Sequence, residues 1–163
     1  SGIKLFNTAL SDKQGVLTFN VYSNSSLFSS VYSHHMGQES VRIDVQAVDG
    51  DGFCRQHGID RIDFLKLDAE GCEHLILRGF QKMFDQKKIR VIQFEYGVLN
   101  VESKFLLKDF FVFFESFGYK LGKIYPNHVD LSGYSWEKEN FIGPNYIAVR
   151  ENETDLIETL QGQ

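Results

Sequence analysis

The chain has 163 residues, a length that fits one domain and suffices to bury a core, so a division into two domains is not expected. Hydrophobic residues make up 42% and charged residues 24%, which excludes a disordered chain, and no apolar run approaches the roughly 18 residues of a membrane span. Seventeen basic against 22 acidic residues give a net charge of -5, so the broad positive field that nucleic-acid or anionic-membrane binding relies on is missing, and neither partner is expected. The start, Ser1-Gly2-Ile3-Lys4-Leu5-Phe6, has no basic segment leading into a long apolar one, and so carries no visible secretory signal. Two cysteines, Cys54 and Cys72, argue against a disulfide scaffold and fit a reducing, cytoplasmic setting.

Strand-like and helix-like segments alternate, as in an α/β domain. Ile3 to Leu10 reads as a strand, and Ser11 to Gly15 has turn chemistry. Val16 to Tyr22 alternates apolar and polar residues and suggests an antiparallel partner with one wet face; Val41 to Val48 does the same. Between them, the Ser-rich stretch from Ser23 to Ser40 reads as a surface loop or lid. Asp49 to His57 predicts a short helix stopped by Gly58, and the dense apolar run Ile62 to Leu67 suits the middle of a sheet. Glu70 to Asp85 follows as one helix, with Cys72, Leu75, Ile76, Phe80, Met83 and Phe84 spaced by threes and fours on one face. Ile89 to Phe94 is another buried strand. Ser103 is expected to cap a helix running to Phe117, ended by Gly118. Tyr119 to Tyr125 and Tyr146 to Arg150 supply the last strands, and the acidic tail suggests a short terminal helix or frayed end. Six of the 15 phenylalanines fall between Phe105 and Phe117, leaving that helix almost no polar face.

Several familiar signatures fail on inspection. Asp49-Gly50-Asp51-Gly52 starts like a calcium loop, but the fifth and twelfth positions are Phe53 and Asp60, where oxygen ligands including a bidentate Glu are required. His34 and His35 have no partner at a metal-ligand spacing and read as solvated loop residues. The sequons at Asn24 and Asn152 are short enough to arise by chance. No G-x-S-x-G, HExxH, CxxC, P-loop or G-x-G-x-x-G is present.

The stretch that stands out is Ile62-Asp63-Phe64-Leu65-Lys66-Leu67-Asp68-Ala69-Glu70-Gly71-Cys72-Glu73, a strand running straight into acids and a glycine. Ligands of open α/β sheets bind outside the carboxyl ends of the strands, which is where Asp68 and Glu70 fall. The next strand ends in Glu95-Tyr96, so if the two strands are parallel neighbours, Asp68, Glu70 and Glu95 converge on one rim. Such a cluster could hold a divalent cation, supply a general base, or accept hydrogen bonds from a polar ligand. Alternatively, Glu70 and Glu73 would only favour the first turn of a helix, with Asp68 as its cap. Lys66 is either a buried counter-ion or a solvent-facing residue.

At these residues the sequence resembles the FkbM family of S-adenosylmethionine-dependent methyltransferases. The acidic turn with Leu77-Arg78-Gly79-Phe80 carries the resemblance, supported by Phe6 to Asp12 with Gly15, the strand ending in Glu95, and Asn145 to Val149. The resemblance implies a partial Rossmann-like class I methyltransferase sheet, strands 3 to 7 of the order 3-2-1-4-5-7-6, with an added antiparallel hairpin. It also implies methyl transfer, typically to a hydroxyl oxygen of a sugar or natural product. Within it Asp68, Glu70 and Glu95 are the candidate catalytic acids, with acid-base work ranked above metal binding, and Ala9, Leu10 and Asp68 are the candidate cofactor neighbours. The loops Ser23 to Ser40 and Asn127 to Asn145, with His128, Tyr134 and Trp136, are the expected acceptor-recognition surfaces.

The family's glycine-rich first strand and its second strand have no counterpart in this sequence. These residues are therefore expected to be the later part of a larger domain, to bind S-adenosylmethionine weakly or not at all alone, and to leave the fourth strand of the usual order with a bare edge. An upstream segment or a second copy of the chain would complete the sheet. A second function class, a non-catalytic interaction or dimerisation domain, rests on the apolar helix from Ser103 to Phe117.

Overall fold

Period-two alternation builds the first sheet. In the computed structural model, which describes residues 2–22, 25–32 and 40–162, β2 (Gly15–Tyr22) pairs antiparallel with β4 (Ser40–Asp49) over eight residues. Leu17 lies opposite Val45, Phe19 opposite Ile43, and Val21 opposite Val41, while Thr18 and Asp44 meet on the other face through a 2.7 Å hydrogen bond. β1 (Ala9–Ser11) adds parallel to β4, and β3 (Ser25–Ser30) antiparallel to β2, giving the order β1-β4-β2-β3. Two expectations change here. Only the end of the segment from Ile3 to Leu10 is strand, since Ile3 and Leu5 are 92% exposed with nothing to pack against. The Ser-rich stretch contributes β3, which pairs with β2 and so turns part of the expected loop into an edge strand. His34, His35 and Asn24 lie outside the described residues.

The second sheet has the order β5-β6-β9-β7-β8. β5 (Ile62–Lys66) and β6 (Ile89–Glu95) are parallel; β9 (Asn145–Arg150) runs antiparallel between β6 and β7 (Tyr119–Ile124), and β8 (Val129–Asp130) closes the far edge. β5 is thus an edge strand and not a central one, and Phe64 is 53% exposed. Its apolar run is that of a strand fit to be covered, yet no described strand lies beyond it. β9 divides its side chains by period two: Tyr146 and Ala148 face the main core, Ile147 and Val149 a smaller one with Ile157 of α6 (Thr154–Gln161).

α1 (Gly50–His57) keeps the expected limits, with the Asp49 carboxylate accepting from the Gly52 amide at 2.6 Å and Gly58 left-handed at its end. Asp51 is likewise a cap, accepting from the amides of Lys82 and Met83. The expected helix from Glu70 to Asp85 is two helices, α2 (Glu73–Gly79) and α3 (Gln81–Asp85), broken at the buried Phe80. Gly79 has no room for a side chain: a Cβ there would stand 2.0 Å from the Ser11 carbonyl oxygen of β1.

The helix expected from Ser103 to Phe117 also divides. Ser103 ends α4 (Leu99–Ser103), its hydroxyl donating to the Asn100 carbonyl oxygen, and Lys104 turns left-handed. α5 (Leu107–Ser116) then starts from Leu106, whose amide donates to Asp109. Leu107, Phe110, Phe111 and Phe114 fill the chain's own core, while Val112 is 59% exposed. No helix among the described residues is long and apolar enough to cross a membrane.

Candidate active site

The parallel pairing of β5 with β6 fixes where the acids go. Lys66 lies opposite Gln93, and the Leu67 amide donates to the Gln93 carbonyl oxygen at 2.8 Å, so the ladder reaches the acidic turn before the chain leaves the sheet. Asp68 and Glu70 then stand at the end of β5, and Glu95 at the end of β6, at the same rim.

The turn between β5 and α2 has a particular build. Glu70 and Gly71 are both left-handed, with φ of 50° and 92°. At Gly71 a Cβ would also lie 3.1 Å from Leu99 of α4, so glycine serves the turn and the packing together. Glu73, 1% exposed, turns its carboxylate back to accept from the Ala69 amide at 2.8 Å. Glu70 therefore precedes the helix and does not support its first turn, and Asp68 is no cap: it pairs with Lys66 at 2.7 Å, both side chains 48% exposed. Lys66 is the solvent-facing alternative of the two that the sequence leaves open.

Electrostatics tie the acids into one set. Burial pushes the Glu70 carboxyl above the usual range, and the charges of Asp68 and Glu95 push it further the same way. Burial likewise raises Glu73. Lys66 is held in its charged form by the hydrogen bond to Asp68 and, more weakly, by Asp68 and Glu95 as charges. A carboxyl raised in this way is a stronger base than a free one. Among the described residues, no three His, Cys, Asp or Glu side chains are grouped so as to hold a metal ion.

The candidate cofactor neighbours are divided. Leu10 packs against the main core, whereas Ala9 lines an apolar concavity of about 350 Å³ with Phe6, Asn7, Thr8, Phe19, Val21, Ile43 and Val45. Asp68 does not line it. The structure thus gathers Asp68, Glu70 and Glu95 and sets Ala9 in a different hollow. Between β7 and β8, His128 stacks on Tyr125, and in the loop after β8, Trp136 is 76% exposed and Tyr134 donates to Glu139.

Two residues around the site escape sequence reasoning. Ser30 closes β3, and its hydroxyl donates to the Glu70 carbonyl oxygen at 2.8 Å. Glu139 accepts from the Tyr96 phenol, directly after Glu95, and from the amides of Leu107 and Lys108. Neither lies in a periodic segment, and one serine among many or one acid in a polar loop gives no signal.

Two sheets with helices packed on them, and acids at the carboxyl ends of the parallel β5 and β6, define the class as a mixed α/β protein. Residues 3–121 match the family model described as the methyltransferase FkbM domain, and the chain belongs to that methyltransferase family. No curated protein and no solved structure is similar enough to count as a match.

Proposed function

We propose that the chain forms the later part of an S-adenosylmethionine-dependent methyltransferase domain that methylates a hydroxyl oxygen of a sugar or natural product. The observation that carries the reading is the convergence of Asp68, Glu70 and Glu95, with Glu70 raised by burial and by its two acidic neighbours. The order β5-β6-β9-β7, with β9 antiparallel, supports it as the arrangement expected for strands 4, 5, 7 and 6 of a class I methyltransferase sheet.

The residues fit the cofactor in part. The apolar hollow at Ala9 suits a flat ring such as adenine, whereas Asp68 lies outside that hollow. When bound, S-adenosylmethionine supplies a methyl group that is already a strong electrophile. The work left to the protein is to align the acceptor oxygen and exclude water. A carboxylate is too weak a base to ionise an alcohol beforehand; Glu70 takes the hydroxyl proton as the new carbon-oxygen bond forms. Asp68 and Glu95 keep that carboxyl basic, and Lys66 holds Asp68 in place.

The bare edge of β5 is where the remaining strands of the sheet would pair, supplied by an upstream segment or by a second copy of the chain. Incubating a protein that contains this chain and the upstream strands with methyl-labelled S-adenosylmethionine and hydroxylated sugars is the test. Label in a base-stable ether is expected. Label only on nitrogen or carbon, or none, refutes the reading.

A further inference from the structure

Ser30 is 0% exposed, at the end of a strand that belongs to the other sheet. Its hydroxyl donates to the Glu70 carbonyl oxygen at 2.8 Å and accepts from the Tyr32 amide at 3.1 Å. Asn20 of β2, also buried, fixes the end of β3 by donating to the carbonyl oxygens of Ser30 at 3.4 Å and Val31 at 3.3 Å. A chain of hydrogen bonds therefore runs from β2 through β3 to the acidic turn.

That turn needs holding. A non-glycine residue in the left-handed region is strained and persists only where its surroundings impose it. Glu70 is such a residue, followed by left-handed Gly71. Glu73 secures the near side through the Ala69 amide, which leaves the Glu70 carbonyl to be fixed from elsewhere. Ser30 is the group that fixes it.

We propose that Ser30, supported by Asn20, is a positioning residue that clamps the turn so that the Glu70 carboxyl stays beside Asp68 and Glu95. The hairpin of β2 and β3 is then part of the machinery of the rim. The proposal rests on the reading of Glu70 as the base. The charged groups acting on this turn are Asp68 and Glu95 on Glu70, Lys66 on Asp68, and Glu73 behind it.

The test compares Ser30→Ala, Asn20→Ala and Glu70→Gln in a protein containing this chain and the rest of its methyltransferase domain. With the clamp removed, Ser30→Ala should lower kcat at least about tenfold, since displacement of about 1 Å at a reacting group can cost a hundredfold, and change the acceptor KM less than about threefold. The acid limb of the pH-rate profile should move toward lower pH as Glu70 leaves its acidic neighbours. Asn20→Ala should give a smaller change of both kinds, and it keeps the test open if Ser30→Ala does not fold. A loss of folded fraction alone would not move the limb. Unchanged kcat and an unmoved limb in both variants, with Glu70→Gln inactive, overturn the clamp. An active Glu70→Gln overturns instead the reading of Glu70 as base. Independently of turnover, NMR titration of the same protein should show the Glu70 carboxyl returning toward the ordinary range in Ser30→Ala; an unmoved titration contradicts the proposal.

Discussion

Tyr96 and Glu139, 43 residues apart, are joined by a hydrogen bond in which the phenol donates and the carboxylate accepts. The same carboxylate accepts from the amides of Leu107 at 3.3 Å and Lys108 at 3.1 Å, and from the Tyr134 hydroxyl at 3.2 Å. One side chain thus caps α5 and ties the loop before β9 to the end of β6. Glu139→Ala is expected to cost about 2 kcal/mol in urea unfolding, because it strips a helix cap and charge-assisted bonds together. A cost within about 0.5 kcal/mol of zero would show that the loop does not depend on this bond.

Glu70 is raised in the folded state by burial, Asp68 and Glu95, so folding favours its protonated form. Its contribution to stability is full below the unfolded carboxyl value and is lost as pH rises through the folded value. Glu70→Gln is therefore expected to stabilise the chain slightly at pH 7, by at most about 0.5 kcal/mol because solvent still screens the half-buried site, and to make no difference at low pH. Destabilisation at pH 7 would contradict the electrostatic account.

Glu153 behaves the opposite way. Hydrogen bonds from Arg90 and Arg150 hold its carboxyl below the usual range. For Asp130, burial alone would raise the carboxyl, but bonds from Ser132 and Lys138 bring it down to about 2. Depressed carboxylates add stability above the unfolded value and lose it as pH falls through the folded one, here between about pH 4 and about pH 2. The thermal midpoint of Glu153→Gln should fall below that of the parent at pH 7 and approach it as the carboxyl becomes protonated in acid; a constant gap would refute the pairing.

α5 offers a test of how its apolar residues are used. Phe110 stacks on Phe94 with ring centroids 4.5 Å apart and is fully buried, whereas Val112 faces outward. Phe110→Ala should cost about 3 to 5 kcal/mol. Val112→Ala should stay within about 0.5 kcal/mol, and equal costs would indicate a helix buried on both sides.

The sequence shows most of the framework where periodicity is regular: β2 and β4 alternate cleanly, α1 has both caps in view, and β6 and β9 fall where their apolar runs lie. The convergence of Asp68, Glu70 and Glu95 is legible too, because it needs only two parallel strands of known ends. What periodicity does not carry is harder to see. The breaks at Phe80 and Lys104 interrupt apolar patterns that continue through them, since Phe80 remains in the core although it belongs to neither helix. The edge position of β5 is hidden because an apolar run reports what a strand is fit to pack against and not which described strands flank it. Ser30 and Glu139 act through bonds closed over tens of residues, which no local pattern encodes.

The central claim is that the acids at the ends of β5 and β6 perform the proton chemistry of methyl transfer. The direct measurement is single-turnover methylation by a protein containing this chain within its complete methyltransferase domain, with Asp68→Ala and Glu70→Ala beside the parent and circular dichroism to verify folding. A fall of at least about a hundredfold in each folded variant is predicted, within the range a general base contributes. Unchanged rates in both folded variants would contradict it.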